Sequence, residues 1–252
     1  MTEEVKKLKD LVVLWIEMLV VTACFFFFFG LTAVSVFGFT VSLPALSGNS
    51  FSVLFFKMMQ LDLLPGNVTL VAMGPLSALN TQGAISFLLA FLVTFPFFLC
   101  KLAWFVSPAL HKAERRMFLS VLLPTLALFA GGVLFAYKFV IPSTLKALYD
   151  YTSVTGATPF FSIDSFVSSV VTFMIVTGVL FLIPVFMILL SFLGIIPSAF
   201  WRDKWRYALL TFLIFSAIIT PDGSGISMML LSLPLSGLYA VGIGVASMKK
   251  QR

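Results

Sequence analysis

Residues 166–192 read FVSSVVTFMIVTGVLFLIPVFMILLSF, a run of 27 residues without a charged side chain. About 20 consecutive apolar residues are enough for a helix to cross the roughly 30 Å hydrocarbon core of a bilayer. Across the whole chain of 252 residues, 60% are hydrophobic and only 10% are charged, whereas an average soluble domain has about 25% charged residues. This composition excludes a water-soluble globular protein and predicts an all-α integral membrane protein.

Five further apolar stretches flank this one and predict six transmembrane helices in total. The predicted spans are Leu11–Ala33, Ile85–Phe105, Phe118–Val140, Phe166–Phe192, Tyr207–Ile219 and Ile226–Ser247. The first span is too long for a cleavable signal and precedes no small-residue cleavage site, so we interpret it as a retained helix. We expect residues 1–252 to form a single six-span membrane domain.

The basic residues predict the orientation of these spans. Of the 16 lysines and arginines, only Lys57, Lys138 and Lys146 fall towards one side of the predicted membrane. The remaining thirteen lie in short segments near span ends on the other side, which is the side that holds both termini. By the positive-inside rule, both termini are cytoplasmic and the protein is a multi-pass protein of the cytoplasmic membrane. Because the cations are scattered in small groups, they do not predict a nucleic-acid-binding surface.

The segments on the outer side differ from one another in composition. Residues 34–84 are rich in Ser, Gly, Pro and Asn but include the apolar piece Phe51–Met59, which contains Lys57. We expect that piece to form an interfacial or capping helix rather than a seventh span. The segment Ile141–Ser165 carries two prolines, and we expect it to be ordered without crossing the membrane.

The last two spans are predicted to be short. Tyr207–Ile219 has 13 residues and covers only about 20 Å as a helix, less than the roughly 30 Å hydrocarbon core. Pro221 blocks its extension, and Pro234 is expected to interrupt the helix that follows. We therefore predict a locally thinned bilayer around this hairpin.

Patterns typical of catalysis or of cofactor binding do not occur in the sequence. Its one histidine, His111, has no neighbour at metal-ligand spacing, and neither a phosphate-binding glycine loop nor a Gly-x-Ser-x-Gly motif is present. We therefore expect a protein that is not an enzyme and that uses no cofactor or metal. A small-solute secondary transporter or channel remains the alternative, although it predicts polar residues near the middle of the spans, where only Glu17 is a candidate.

The segment between the second and third spans carries a specific motif. Residues 105–116 read FVSPALHKAERR. They resemble the first cytoplasmic loop of the TatC family, in which an aromatic residue, a proline and small residues lead into Glu-Arg-Arg at the start of the third span. Three more stretches agree in order and spacing: FAYKFVIP at 135–142, Pro184-Val185, and Thr220-Pro221-Asp222. The resemblance extends from about Phe95 to the C-terminus and includes the six-span layout.

This resemblance implies a function in protein export. TatC-family proteins bind the signal peptides of folded cargo, which carry two adjacent arginines. They also organise small single-span subunits of the TatA and TatB type, so that folded proteins cross the cytoplasmic membrane. The resemblance therefore implies that this chain is a receptor and an assembly platform and that it forms homo- and hetero-oligomers in the lipid bilayer. The scattered cations indicate that nucleic acid is not a partner.

The resemblance also assigns the residues of a signal-peptide-binding site. The acid of the family's Glu-Arg-Arg run is Glu114, and a second acid aligns with Asp10, although Val12 replaces the arginine that follows in the family pattern. Carboxylates suit this role because an arginine fork pairs with them through two charge-assisted hydrogen bonds. Glu114 is also expected to stabilise the start of its helix, by about 0.3 to 1 kcal/mol. The other residues assigned to the site are Phe105, Pro108, Arg115 and Arg116, and Asp222 is assigned to the outer turn.

Two residues inside the spans are candidates for intramembrane contacts. Glu17 is ionisable and lies within the first span, which makes it a functional candidate; it follows Asp10 by seven residues, so both acids lie on one helical stripe. The alternative is that water or a lysine reaches Glu17 from the membrane surface. Pro96 is expected to bend the second span.

Two positions depart from the family pattern. The family commonly has a glutamate two residues before the Pro-Val pair of the fourth span, and another acid in the last span. This chain has Leu182 and Ala240 at those positions. We therefore expect contacts with partner subunits to depend more on packing than on buried carboxylates.

Overall fold

A computed structural model describes the backbone of residues 2–36, 39–44, 50–64, 69–106, 112–154, 160–192, 194–220 and 225–248. Within these ranges it describes the side chains of all residues except 2–8, 10, 11, 14, 29–36, 39–44, 102–106, 112–120, 153, 160 and 248. The helices are α1 (Thr2–Gly30), α2 (Phe51–Leu63), α3 (Ser77–Val106), α4 (Lys112–Phe135), α5 (Ile141–Val154), α6 (Ile163–Leu180), α7 (Ile183–Phe192), α8 (Ser198–Asp203), α9 (Trp205–Ile219) and α10 (Ile226–Met248). The strands are β1 (Leu31–Val36), β2 (Phe39–Pro44), β3 (Thr69–Val71) and β4 (Phe160–Ser162).

Helices occupy all six predicted spans, but the first ends earlier than predicted: α1 stops at Gly30, and Leu31–Ala33 belong to strand β1. In the described part of the chain, four stretches are long and apolar enough to cross a membrane: Ser77–Lys101, Val121–Thr152, Ile163–Phe192 and Ile226–Ser247. Two shorter apolar stretches, Trp15–Phe28 and Trp205–Ile219, occupy the positions of the first and fifth predicted spans. The all-α membrane fold predicted from composition is therefore confirmed.

The third span is longer than the sequence predicts. We expected it to end at Val140, but a π-helical turn at Ala136–Val140 joins α4 to α5, and helix continues to Val154. The Ile141 N–H bonds to the Ala136 carbonyl across the wider turn. Such a turn accommodates Pro142, which has no N–H to donate. Proline therefore alters the helix at this point without ending it.

A turn just before Pro184 divides the fourth span into two helices. Helix α6 ends at Leu180 and α7 begins at Ile183, with a turn between them. The Leu182 carbonyl accepts hydrogen bonds from the N–H groups of Val185 and Phe186, at 2.9 and 3.1 Å. Pro184 cannot donate a helical hydrogen bond, so the chain makes this tight turn before it resumes as helix.

Only one of the last two spans is short. Helix α9 has 15 residues and is about 22 Å long. Helix α10 has 23 residues and continues through Pro234 without a break, so the predictions of a short last helix and of an interruption at Pro234 were wrong. Proline is tolerated inside membrane helices because neighbouring groups satisfy the backbone carbonyl it leaves free.

The segments expected on the outer side are more regular than predicted. Helix α2 confirms the predicted short helix and extends it to Leu63. The strands were not predicted: β1 and β2 form an antiparallel pair, with Leu31 opposite Pro44 and Val36 opposite Phe39. Strands β3 and β4 pair in parallel, with Thr69 opposite Phe160. The β-branched residues of LTAVSV and FTVSLP are the signal that would have indicated the first pair.

The chain divides into two compact units. One unit contains Met1–Phe105 and Phe160–Val171, and the other contains Val106–Pro159 and Thr172–Arg252. The fully buried apolar side chains of the first unit include Met59, Ile85, Leu88 and Val167. Those of the second include Val140, Met187, Leu231 and Leu235, where α10 packs against α7 and α9. The single domain expected from the sequence stays a prediction.

Candidate functional site

Glu114 lies in the first turn of α4, which begins at Lys112. Arg115 and Arg116 follow it in the same part of the helix. The first turn of a helix leaves backbone N–H groups without intrahelical partners, and its partial positive charge favours a carboxylate. The side chains of these three residues lie outside the described part of the chain.

The other cytoplasmic residues assigned to the site are placed only in part. Asp10 lies within α1, and Phe105 lies one residue before the end of α3. The structure describes the backbone of both residues but not their side chains. Pro108 and the outer residue Asp222 lie outside the described residues altogether.

Glu17 forms an ion pair with Lys101. The Lys101 ammonium donates a hydrogen bond to Oε2 of Glu17, and each side chain is about half exposed. Glu17 is on α1 and Lys101 is five residues before the end of α3, so the pair connects the two helices near their predicted cytoplasmic ends. Pairing offsets the cost of placing either charge beside apolar surface.

Two other contacts join the same helices. The rings of Trp15 and Phe98 lie 5.9 Å apart between centroids, and the Thr22 hydroxyl lies 3.3 Å from the Thr94 hydroxyl. Thr22 lies further along α1 than Trp15 and Glu17, and its partner Thr94 lies earlier in α3 than Phe98 and Lys101. The two helices are therefore antiparallel, as consecutive spans must be. Pro96 is half-buried inside α3, between Thr94 and Phe98, and the helix continues through it.

The sequence left open that a lysine reaches Glu17 but did not identify Lys101 as that lysine. By charge placement alone, Lys101 is one of the thirteen cations on the predicted cytoplasmic side. A signal was available, because Lys101 is the one charged residue of the predicted second span and lies near the end that faces the start of the first span. Pairing of the two intramembrane charges was therefore a reasonable expectation.

The two positions that depart from the family pattern differ in their surroundings. Leu182 is buried in the turn between α6 and α7, and Ala240 is exposed on α10. A carboxylate at the first position would be desolvated by the packing around it, whereas at the second it would lie on the outer face of the helix. Among the described residues, no cluster of three or more His, Cys, Asp or Glu side chains could hold a metal ion.

Comparison with known proteins gives one consistent result. A family model described as "Sec-independent protein translocase protein (TatC)" matches residues 5–234. The TatC protein of Cenarchaeum symbiosum is 37% identical over 194 residues, which are 77% of this chain and 74% of that relative. The TatC protein of Deinococcus radiodurans is 34% identical over 182 residues, or 71% and 66% of the two chains.

The fold agrees with this match. A crystal structure of the twin-arginine translocase receptor TatC superposes with a TM-score of 0.74 and 26% sequence identity, covering 97% of this chain and 98% of that one. The resemblance seen in the loop at 105–116 is therefore confirmed, and the transporter alternative is not favoured. Sequence and fold together show that the chain belongs to the TatC family of Sec-independent protein translocase proteins.

Proposed function

We propose that this protein is the twin-arginine translocase subunit that binds twin-arginine signal peptides at the cytoplasmic face and organises single-span TatA- and TatB-type subunits for the export of folded proteins. The observation that carries the proposal is the fold match over 97% of the chain to a protein described as the twin-arginine translocase receptor. The location of Glu114 in the first turn of α4 supports it at the level of the site.

Glu114 is the principal acceptor in this proposal. A guanidinium group offers parallel N–H donors that match the two oxygens of a carboxylate, whereas an ammonium group is a point charge. A carboxylate on the first turn of a helix has a defined position, which reduces the entropy lost when an arginine binds. This chemistry explains why the ligand would need arginine rather than lysine.

Asp10 supplies the second carboxylate in the proposal. It is on α1, seven residues before Glu17, and therefore on the same helical stripe. Since Lys101 already neutralises Glu17, we assign Glu17 to holding α1 against α3 and Asp10 to contact with the ligand. Phe105, Pro108, Arg115 and Arg116 would frame Glu114 and limit the approach of the peptide.

The apolar part of the signal peptide would lie against the helices, as would the partner subunits. Contacts between helices in a bilayer depend on close packing and on small residues. Ala240 is small and exposed on α10, and it offers such a surface where the family commonly has an acid. The contact between α1 and α3 would form part of the surface on which the peptide lies, and Pro96 lies on α3 between the contact residues Thr94 and Phe98.

Peptide binding to the purified protein tests the proposal. We expect the wild type to bind an Arg-Arg signal peptide more tightly than its Lys-Lys version. Glu114→Gln should weaken Arg-Arg binding by about tenfold to a hundredfold, since a hydrogen bond to a charged group is worth about 1.5 to 3 kcal/mol. The affinities can be measured by fluorescence anisotropy of labelled peptides.

Two variants serve as controls in this experiment. Glu4→Gln removes one negative charge from the same predicted side and should leave binding unchanged, whereas Glu114→Asp keeps the charge and should retain part of the affinity. Thermal unfolding of each variant checks that it is folded. Equal binding of both peptides by the wild type and by Glu114→Gln would contradict the receptor function.

A further inference from the structure

The junction of α8 and α9 forms an open cleft of about 750 Å³ in the second unit. Its polar and aromatic lining consists of Arg202, Asp203, Lys204, Trp205, Arg206 and Tyr207. None of these residues belongs to the proposed signal-peptide site. The junction follows the fourth span and precedes the fifth, so the predicted topology places it on the cytoplasmic side.

The cleft is basic. Three cationic side chains line it against one carboxylate, and all four are exposed. Within the described part of the chain, Arg202, Lys204 and Arg206 form no ion pair with Asp203 or with another acid. The cleft therefore presents uncompensated positive charge, which is complementary to an anion.

Aromatic rings lie beside two of the cations. The Lys204 ammonium lies 5.2 Å from the centroid of the Tyr207 ring, and the Arg206 guanidinium lies 5.7 Å from the Trp205 ring. Such contacts restrict the cations without neutralising them. Trp and Tyr are also the residues enriched at the headgroup level of membrane proteins.

Two neighbouring helices of the same unit, α7 and α10, hold the start of the cleft in place. The Tyr239 hydroxyl on α10 donates to the Trp201 carbonyl at 2.8 Å, and Trp201 Nε1 donates to the Ser191 hydroxyl on α7 at 2.9 Å. Trp201, which directly precedes the cleft, is therefore hydrogen-bonded to two spans. A preorganised site loses less entropy when a ligand binds.

We propose that this cleft binds the phosphate headgroup of an anionic lipid in the cytoplasmic leaflet. Its cations have the charge and the hydrogen-bond donors that a phosphate requires. The rings of Trp205 and Tyr207 lie at the start of α9, at the level where lipid headgroups are found. Leu210 also lines the cleft and is exposed, which offers apolar contact to the lipid chains and favours a lipid over a soluble phosphate.

Lipid binding to the full-length protein tests the proposal without a signal peptide. We would titrate phosphatidylglycerol and, separately, zwitterionic phosphatidylcholine into the detergent-solubilised protein and follow the bound lipids by native mass spectrometry. We expect a preference for phosphatidylglycerol. Since each cation near an anionic lipid surface contributes about fivefold in affinity, the combined Arg202→Gln, Lys204→Gln and Arg206→Gln variant should lose at least about tenfold of phosphatidylglycerol affinity.

A matched variant controls for overall charge. Lys249→Gln, Lys250→Gln and Arg252→Gln remove three cations from the same predicted side, and this variant should keep its phosphatidylglycerol affinity. Arg206→Lys keeps the charge of the cleft and should lose less than Arg206→Gln, so loss of folding is separated from loss of binding. The cleft variant should still bind an Arg-Arg peptide, which makes the result independent of the receptor function.

Three results would overturn the proposal. Equal losses in the two triple variants would show that only overall charge matters. Unchanged phosphatidylglycerol binding in a folded cleft variant would show that the lipid binds elsewhere. Displacement of the lipid by inorganic phosphate at millimolar concentration would identify a site for a soluble anion instead.

Discussion

At the scale of single residues, the pairing of Glu17 with Lys101 separates two roles that the sequence could not separate. Asp10 and Glu17 share a stripe of α1, and both were candidates for contact with a ligand. Lys101 neutralises Glu17 and leaves Asp10 as the acid of that stripe nearer the predicted cytoplasmic end. An arginine of the ligand would have to displace Lys101 before it could bind Glu17.

We predict that this pair stabilises the contact between α1 and α3. Glu17→Gln and Lys101→Gln should each lower the melting temperature, because each leaves one charge beside apolar surface without its partner. A double-mutant cycle should give a coupling energy of about 1 kcal/mol, the upper end for partly exposed pairs. Thermal unfolding in detergent measures both quantities.

Charge reversal is the control for this pair. The combined Glu17→Lys and Lys101→Glu variant restores opposite charges and should recover most of the lost stability. If the two single losses simply add in the double Gln variant, Glu17 and Lys101 do not interact, and the assignment of Glu17 to a structural role is wrong.

At the scale of elements, two glycines set the distance between α4 and α6. A methyl group added at Gly132 would lie 2.8 Å from Cγ of Phe181 and 3.0 Å from Cα of Gly178. A methyl group at Gly178 would lie 2.8 Å from Val133. Membrane helices use small residues in this way because dispersion contacts drive their association.

We predict that Gly132→Ala destabilises the protein by about 1 to 3 kcal/mol, the usual cost of overpacking. Gly131 is the matched control: it is the preceding residue of α4, and a methyl group there would meet no atom within 4 Å. Gly131→Ala should be neutral or stabilising by up to about 1 kcal/mol through helix propensity. Thermal or denaturant unfolding would distinguish them, and equal effects would show that α4 and α6 are not in close contact.

At the scale of the whole molecule, helix α9 is shorter than the hydrocarbon core of an ordinary bilayer is thick. Helix α9 has 15 residues and covers about 22 Å, some 8 Å less than the hydrocarbon core. The other helices that could span a membrane have at least 22 residues in the described part of the chain. The membrane must therefore thin around α9, or water must reach its end.

Cysteine accessibility tests this expectation. Ile218 is exposed near the end of α9, and Val179 is exposed near the middle of the Ile163–Phe192 span. In a background from which the exposed Cys24 and Cys100 have been removed, a water-soluble maleimide should label Ile218→Cys in membranes and leave Val179→Cys unlabelled. Protection of both positions would show that α9 ends at ordinary bilayer depth.

Composition and apolar run length by themselves determined the fold class and the approximate positions of the spans, because lipid requires long uncharged helices. Charge placement predicts which side is cytoplasmic. The loop at 105–116 determined the family. The effects of the prolines were decided only in the folded chain: Pro142 lies in a continuous helix, Pro184 follows a turn, and α10 continues through Pro234. Proline leaves the carbonyl of the residue four positions earlier without its helical donor. Whether the helix breaks there depends on which neighbouring groups donate to that carbonyl.

The pairing of Glu17 with Lys101 and the basic cleft between α8 and α9 likewise required the tertiary structure. The paired residues are 84 positions apart in the chain, and hydrogen bonds from Tyr239 and to Ser191 hold Trp201 beside the cleft. The sequence shows which residues are charged and at what approximate depth they lie. Which charges meet, and which stay uncompensated, depends on how the helices pack, because ion pairs and hydrogen bonds form only between groups brought within about 3 to 4 Å of each other.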